Sequence, residues 1–166
     1  NCALGVIKES GAHLLPLEGD KAFLPSTLYA LDRSLISESV AHQMPDQNRR
    51  NDFVQLRNNA LQRAQRFRRE EDIGQEEQSL FFGRAAFEEY YQWPEEGYFV
   101  KSPKSFLGSS GLRREHIHFF EDVVTAMMQN IKRRAEAQLG RELTHTVIGR
   151  PVNFQGVDAQ ASNRQA

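Results

Sequence analysis

The sequence predicts an α/β fold with antiparallel strands at the start, a helical middle segment, and a long amphipathic helix feeding a further strand. Three observations carry this. Short apolar runs separated by polar and glycine turn residues fill the first thirty positions. Apolar residues recur at helical spacing from Arg114 to Leu139, and the apolar Thr146-Val147-Ile148 follows that helix.

Taken in order, Ala3 to Ile7 and His13 to Leu17 are compact apolar stretches around the turn residues Lys8 to Gly11, which is a hairpin pattern. After the turn Glu18-Gly19-Asp20-Lys21, Phe23 to Ala30 reads as a third successive antiparallel strand, with Pro25 confining it to an edge or bulge. From Leu31 to about Gly97 the character becomes helical and charged. Phe53, Leu56, Ala60, Ala64 and Phe67 form the apolar stripe of one predicted helix. Arginines from Arg49 to Arg69 cover much of its remaining surface. A break is expected at Gly74. A second helix is expected from Leu80 to Trp93, stopping before Pro94 because the residue preceding a proline disfavours helical backbone.

Arg114–Leu139 carries the clearest helix pattern. Ile117, Phe120, Val124, Met127 or Met128, Ile131, Ala135 and Leu139 make one continuous stripe, and Gly140 stands where a left-handed cap is expected. Thr146 to Ile148 is then read as a buried strand. In this division, residues 1–30 and 112–154 form a sheet-and-helix core, and residues 31–111 form a helical subdomain.

Composition narrows the function classes. The chain has 166 residues, 39% hydrophobic and 26% charged, the balance of an ordinary globular protein with a real core. A formal net charge of −1 supplies no whole-chain field for nucleic acid or anionic membrane. The single cysteine, Cys2, can form neither an intrachain disulfide nor a thiolate metal cage, which fits a reducing, cytoplasmic setting. No apolar run reaches the roughly 18 to 20 residues that span a bilayer. The chain opens on Asn1 in an apolar run and closes on Arg164-Gln165-Ala166, which suggests a fragment.

The motif with most chemistry is Ser102-Pro103-Lys104-Ser105-Phe106-Leu107-Gly108, which sets an isolated lysine on a proline-fixed turn. With the long helix and the second rigid turn Gly149-Arg150-Pro151-Val152-Asn153-Phe154, it makes a unit able to hold a cation against a phosphate. Other constellations fail on geometry. His116 and His118 are two residues apart, so on a helix their imidazoles point to different faces and cannot share a zinc ion. There is no Walker loop, and Ser109-Ser110-Gly111 has no histidine or acid at an interpretable spacing.

These residues resemble a known family. Asn1-Cys2-Ala3-Leu4-Gly5-Val6, Leu24-Pro25-Ser26, the Ser102–Gly108 run, Gln138-Leu139-Gly140 and the Pro151 turn followed by Arg164-Gln165-Ala166 look like the nucleotide-binding domain of DnaK-type heat-shock chaperones. The Gly-Arg-Pro-Val-Asn-Phe form of the second turn is similar to the YegD-like branch. The likeness covers the first thirty and last seventy residues, and segment 35–80 resembles the family much less.

The resemblance implies an actin-like ATPase fold of the ribonuclease-H type, of which this chain would be part of the first lobe. ATP and Mg would bind in a cleft between two lobes, and hydrolysis of ATP to ADP would switch a peptide-binding region that acts on unfolded polypeptide clients, with co-chaperones as further partners. It implies a catalytic role for Lys104, neutralising charge that develops on the γ-phosphate. It puts Asn1 at the end of a phosphate loop as a cofactor-binding residue, and it makes Pro151, with Arg150 and Arg164, an allosteric switch. Gly149-Arg150 departs from the β-branched pair common before that proline, and extra residues lie between Phe154 and Arg164, which loosens the expected coupling. The remaining phosphate loops, catalytic carboxylates and adenosine pocket would lie outside the chain, so it is expected to be inactive alone and, with sheet edges uncovered, to self-associate.

Plainer readings stand beside these: a solvent-exposed turn lysine for Lys104, a surface salt bridge for Arg150 and a strand terminator for Pro151. A competing functional class is a non-enzymatic binding module that uses the Arg49–Arg69 basic helix against an acidic partner or nucleic acid. Interspersed Asp52, Glu70, Glu71 and Asp72 dilute that surface.

Overall fold

The chain is mixed α and β in a computed structural model that describes residues 1–106 and 113–149. Strands β1 (Gly5–Lys8) and β2 (Gly11–Leu14) form an antiparallel hairpin in which Val6 faces His13 across the ladder. Strand β3 (Thr27–Ala30) does not extend this hairpin. It is the central strand of a second antiparallel sheet, between β4 (Leu80–Phe82) and β5 (Tyr98–Lys101), with Leu28 opposite both Phe82 and Val100. The expected three-strand succession is therefore corrected. All four residues of β3 are buried, and a strand covered on both faces needs partners on both edges, which the hairpin cannot supply. Pro25 precedes β3 and leaves its ladder intact.

Helix α1 (Ser34–His42) runs through the centre of the molecule, packed against both α3 (Asn58–Glu70) and α5 (Arg114–Leu139). Leu35, Ile36 and Val40 of α1 join Leu28 and Ala30 of β3, Ala64 of α3, Leu80 and Phe82 of β4, Val100 of β5, and Phe119, Val123 and Met127 of α5 in one core. Each fully buried aliphatic side chain of this kind contributes about 1.5–3 kcal/mol of burial free energy.

Four further expectations change. The single arginine-rich helix is two helices, α2 (Gln47–Leu56), capped by Asp46 accepting from the Arg49 N–H at 2.8 Å, and α3, with the break at Arg57. Leu80–Phe82 is a strand rather than the start of a helix. Gly83, at φ +67°, ends it, and α4 (Arg84–Gln92) follows. A Cβ at Gly83 would lie 2.4 Å from Glu18 Oε1 and from Leu24 Cδ1, so the turn is closed by close approach as well as by its dihedral. Segment 31–111 is not wholly helical, because β4 and β5 lie within it. Finally, Thr146–Ile148 forms no strand, and Val147 is 98% exposed, so the buried strand expected there is absent.

The long helix keeps its expected limits, including Gly140 at φ +63° with its N–H donating to the Glu136 carbonyl at 2.9 Å. Its buried face is turned from the expected stripe, however. Phe119, Asp122, Val123, Ala126, Met127 and Asn130 face inward, while Ile117, Val124 and Met128 remain about two-fifths exposed. Two polar residues on the inner face account for the difference, since an apolar stripe cannot anticipate them. No helix among the described residues is long and apolar enough to cross a membrane.

Candidate functional site

Two of the expected site residues flank one short segment. The Cys2 N–H donates to the Leu24 carbonyl at 2.7 Å and the Leu24 N–H returns to the Cys2 carbonyl at 2.9 Å, which fixes Asn1 at the end of this bridge. Cys2 Sγ also lies 3.5 Å from Ser26 Oγ. On the other side, the Ser102 N–H donates to the Ser26 carbonyl at 2.8 Å, holding the exit of β5. Ser102 sits at φ +53°, a left-handed position that redirects the chain into the 3-10 turn Pro103–Phe106. Leu24–Ser26 thus carries Asn1 on one flank and the Lys104 turn on the other, although roughly a hundred positions separate them along the chain.

Pro103 is buried and anchors that turn, whereas Lys104 is exposed and belongs to none of the ion pairs among the described residues. The turn thus offers an ammonium with no carboxylate partner among the described residues on a backbone that is already fixed. Asn1 is exposed as well. Arg150, Pro151 and Arg164 lie outside the described residues.

A second polar centre sits in the interior and was not expected from the sequence. The Arg57 guanidinium donates through Nε to both Asp122 oxygens at 3.0 Å, and through Nη2 to Glu121 at 2.8 Å and to the His118 carbonyl at 3.2 Å. Ser37 Oγ donates to Asp122 Oδ2 at 2.6 Å. Asp122 is 2% exposed, and burial raises its pKa above the ordinary carboxylate value, against the opposing effects of the Arg57 and Ser37 hydrogen bonds. Arg57 breaks the α2–α3 run at this contact, so three helices meet on one buried charge cluster. A companion pair, Arg68 and Glu38, ties α3 to α1.

These contacts change the basic-helix surface. Arg57 and Arg68 turn inward and are spent on internal acids, leaving Arg49, Arg63, Arg66 and Arg69 at the exposed surface. The available signal for the interior cluster was Asp122 itself, an acid set among Phe119, Val123 and Ala126 on the inner face of a helix.

Tyr29 is the other titrating group displaced from its usual value. Its phenol pKa is raised by burial, and further by the charges of Glu89 and Glu96. The hydroxyl donates to the carbonyls of Trp93, at 3.2 Å, and Glu96, closing the loop between α4 and β5.

Among the described residues no group of three or more histidine, cysteine or acidic side chains could hold a metal ion. No protein-family description matches the chain. No solved structure matches it either.

Proposed function

We propose that the chain is part of the ATPase domain of a molecular chaperone of the DnaK type, YegD-like branch, contributing Lys104 and Asn1 to an ATP–Mg site completed by segments beyond it. On this reading the whole protein is an actin-like ATPase that uses ATP hydrolysis to act on unfolded polypeptides, and the chain by itself does not turn over nucleotide. The observation that carries the reading is the anchored Lys104 turn beside the Cys2–Leu24 bridge, in a sequence whose motifs follow the family's order. A lysine so held would stabilise charge on the equatorial oxygens of the transferred phosphoryl group, and an N–H near Asn1 would meet a phosphate oxygen.

The test is calorimetric Mg-ATP binding and steady-state turnover on the chain extended at both ends through the phosphate loops, alongside its Lys104→Ala variant. Turnover lost with binding retained in the variant supports the assignment. An extended protein that neither binds nor hydrolyses ATP overturns it.

A further inference from the structure

An open cleft of about 700 Å³ lies where α1, α3 and α5 all present their first turns. Its lining holds four arginines, Arg33, Arg57, Arg63 and Arg114, against three carboxylates, Asp32, Glu115 and Asp122. What matters is how these charges are already engaged. Asp32 accepts from the N–H of Ser34 at 2.7 Å and from its hydroxyl. Glu115 is held by Arg113 at 3.7 Å, and Asp122 by Arg57 and Ser37. Glu115 and Asp122 thus each have an arginine partner, while Asp32 is held by the neutral Ser34.

The cations are left over. Arg33, Arg63 and Arg114 are all exposed, and none takes part in an ion pair among the described residues. Arg33 is nevertheless held in place, its guanidinium 4.0 Å from the centre of the Phe119 ring on the wall of the cleft. Arg63 stands on α3, one to two turns beyond Arg57, and the Arg57 contact to Asp122 fixes where that part of the helix meets α5. Arg114 opens α5, a helix start that carries no side-chain cap and adds its own positive partial charge. Three forked donors, at the N-cap of α1, on α3 and at the start of α5, line one cleft without an ion pair among the described residues, and form a receptor for an anion with several acceptor oxygens.

We infer that this cleft binds a compact polyphosphate anion, with Arg33, Arg63 and Arg114 as its ligands. Phosphate oxygens suit guanidinium forks bidentately, and two or three linked phosphates carry the several negative charges that three cations can meet, which a single carboxylate does not. The inference does not rest on the nucleotide reading above. Lys104 is not part of the lining, so the two sites are separable by substitution.

The test is isothermal titration of the chain with sodium tripolyphosphate at low salt, with citrate as a second titrant. One-to-one binding is expected, weakened about tenfold by each of Arg33→Ala, Arg63→Ala and Arg114→Ala, which corresponds to about 1.4 kcal/mol. It should be unchanged in Arg66→Ala, an exposed arginine of α3 that does not line the cleft. All these side chains are exposed, and a circular dichroism melt confirms that each variant stays folded. Absence of tripolyphosphate binding overturns the inference. So does an equal loss in Arg66→Ala, which would show diffuse charge attraction, and so does tighter binding of citrate, which would show a carboxylate site.

Discussion

Arg68 of α3 and Glu38 of α1 meet at 2.7 Å with both side chains more than nine-tenths buried. The same guanidinium donates to Ser79 Oγ at 3.1 Å and to the Gly74 carbonyl, so one cation ties two helices to the loop that leads into β4. Removing one member of such a pair leaves the other charge buried and uncompensated. Arg68→Ala is expected to lower unfolding free energy by about 3–5 kcal/mol in urea titration, whereas the double change Arg68→Met, Glu38→Leu recovers most of that loss. A loss below about 1 kcal/mol for the single substitution would show that the pair is solvated.

The Asp122 cluster gives a pH prediction with a defined sign. Because the folded-state pKa lies above the ordinary value of 3.8, the folded protein holds this proton more tightly than the unfolded chain does. The contribution of Asp122 is therefore greatest below that ordinary value and declines as pH rises through the folded pKa. Asp122→Asn keeps the shape and removes the titration. The stability difference between the native chain and this variant should be largest in acid and narrow toward neutrality. A difference that widens with rising pH would contradict the raised pKa.

Gly97 is fixed by geometry. It sits at φ +78°, and a Cβ there would lie 2.5 Å from the Tyr29 hydroxyl oxygen and 2.7 Å from the Ala30 carbonyl. Gly97→Ala is expected to cost about 2 kcal/mol or more, read as a fall in the denaturant midpoint. Adding Tyr29→Phe should not restore it, since the backbone oxygen remains in the way.

Lys104→Ala should leave stability within about 0.5 kcal/mol of the native chain, because the side chain is exposed and outside every ion pair among the described residues. A larger loss in thermal unfolding would assign the lysine a structural role and weaken the case for a catalytic one.

Ile117, Val124 and Met128 leave an apolar strip along α5, and Ile7 on the hairpin is 90% exposed. Sedimentation velocity across a concentration series is expected to show self-association, reduced by Val124→Glu. A single monomeric species throughout would count against it.

Much of the architecture was legible where local chemistry decides it. Gly140 ends α5 because a left-handed cap follows from the residue type, and the polar turn between β1 and β2 joins apolar runs too short for helices. What escaped was decided at a distance. The arginine-rich segment breaks at Arg57, whose guanidinium engages Asp122 far along the chain, and the Asn58-Asn59 pair that follows was the weak local signal for it. Leu80–Phe82 reads as continuous with the aromatic helix after it until Gly83 and the ladder to β3 are seen. Of the candidate site, the lysine turn was visible as a motif, while its attachment to Ser26 and the interior charge cluster depended on tertiary contacts.

The central position of β3 has a consequence for biosynthesis. Its neighbours on both edges, β4 and β5, are encoded much later in the chain. A ribosome adding roughly 5–20 residues per second leaves the buried segment Thr27–Ala30 without either neighbour for several seconds after it emerges. During that interval the nascent chain displays an unpaired apolar strand, and its yield in a cell-free translation should depend on how quickly residues 80–101 follow.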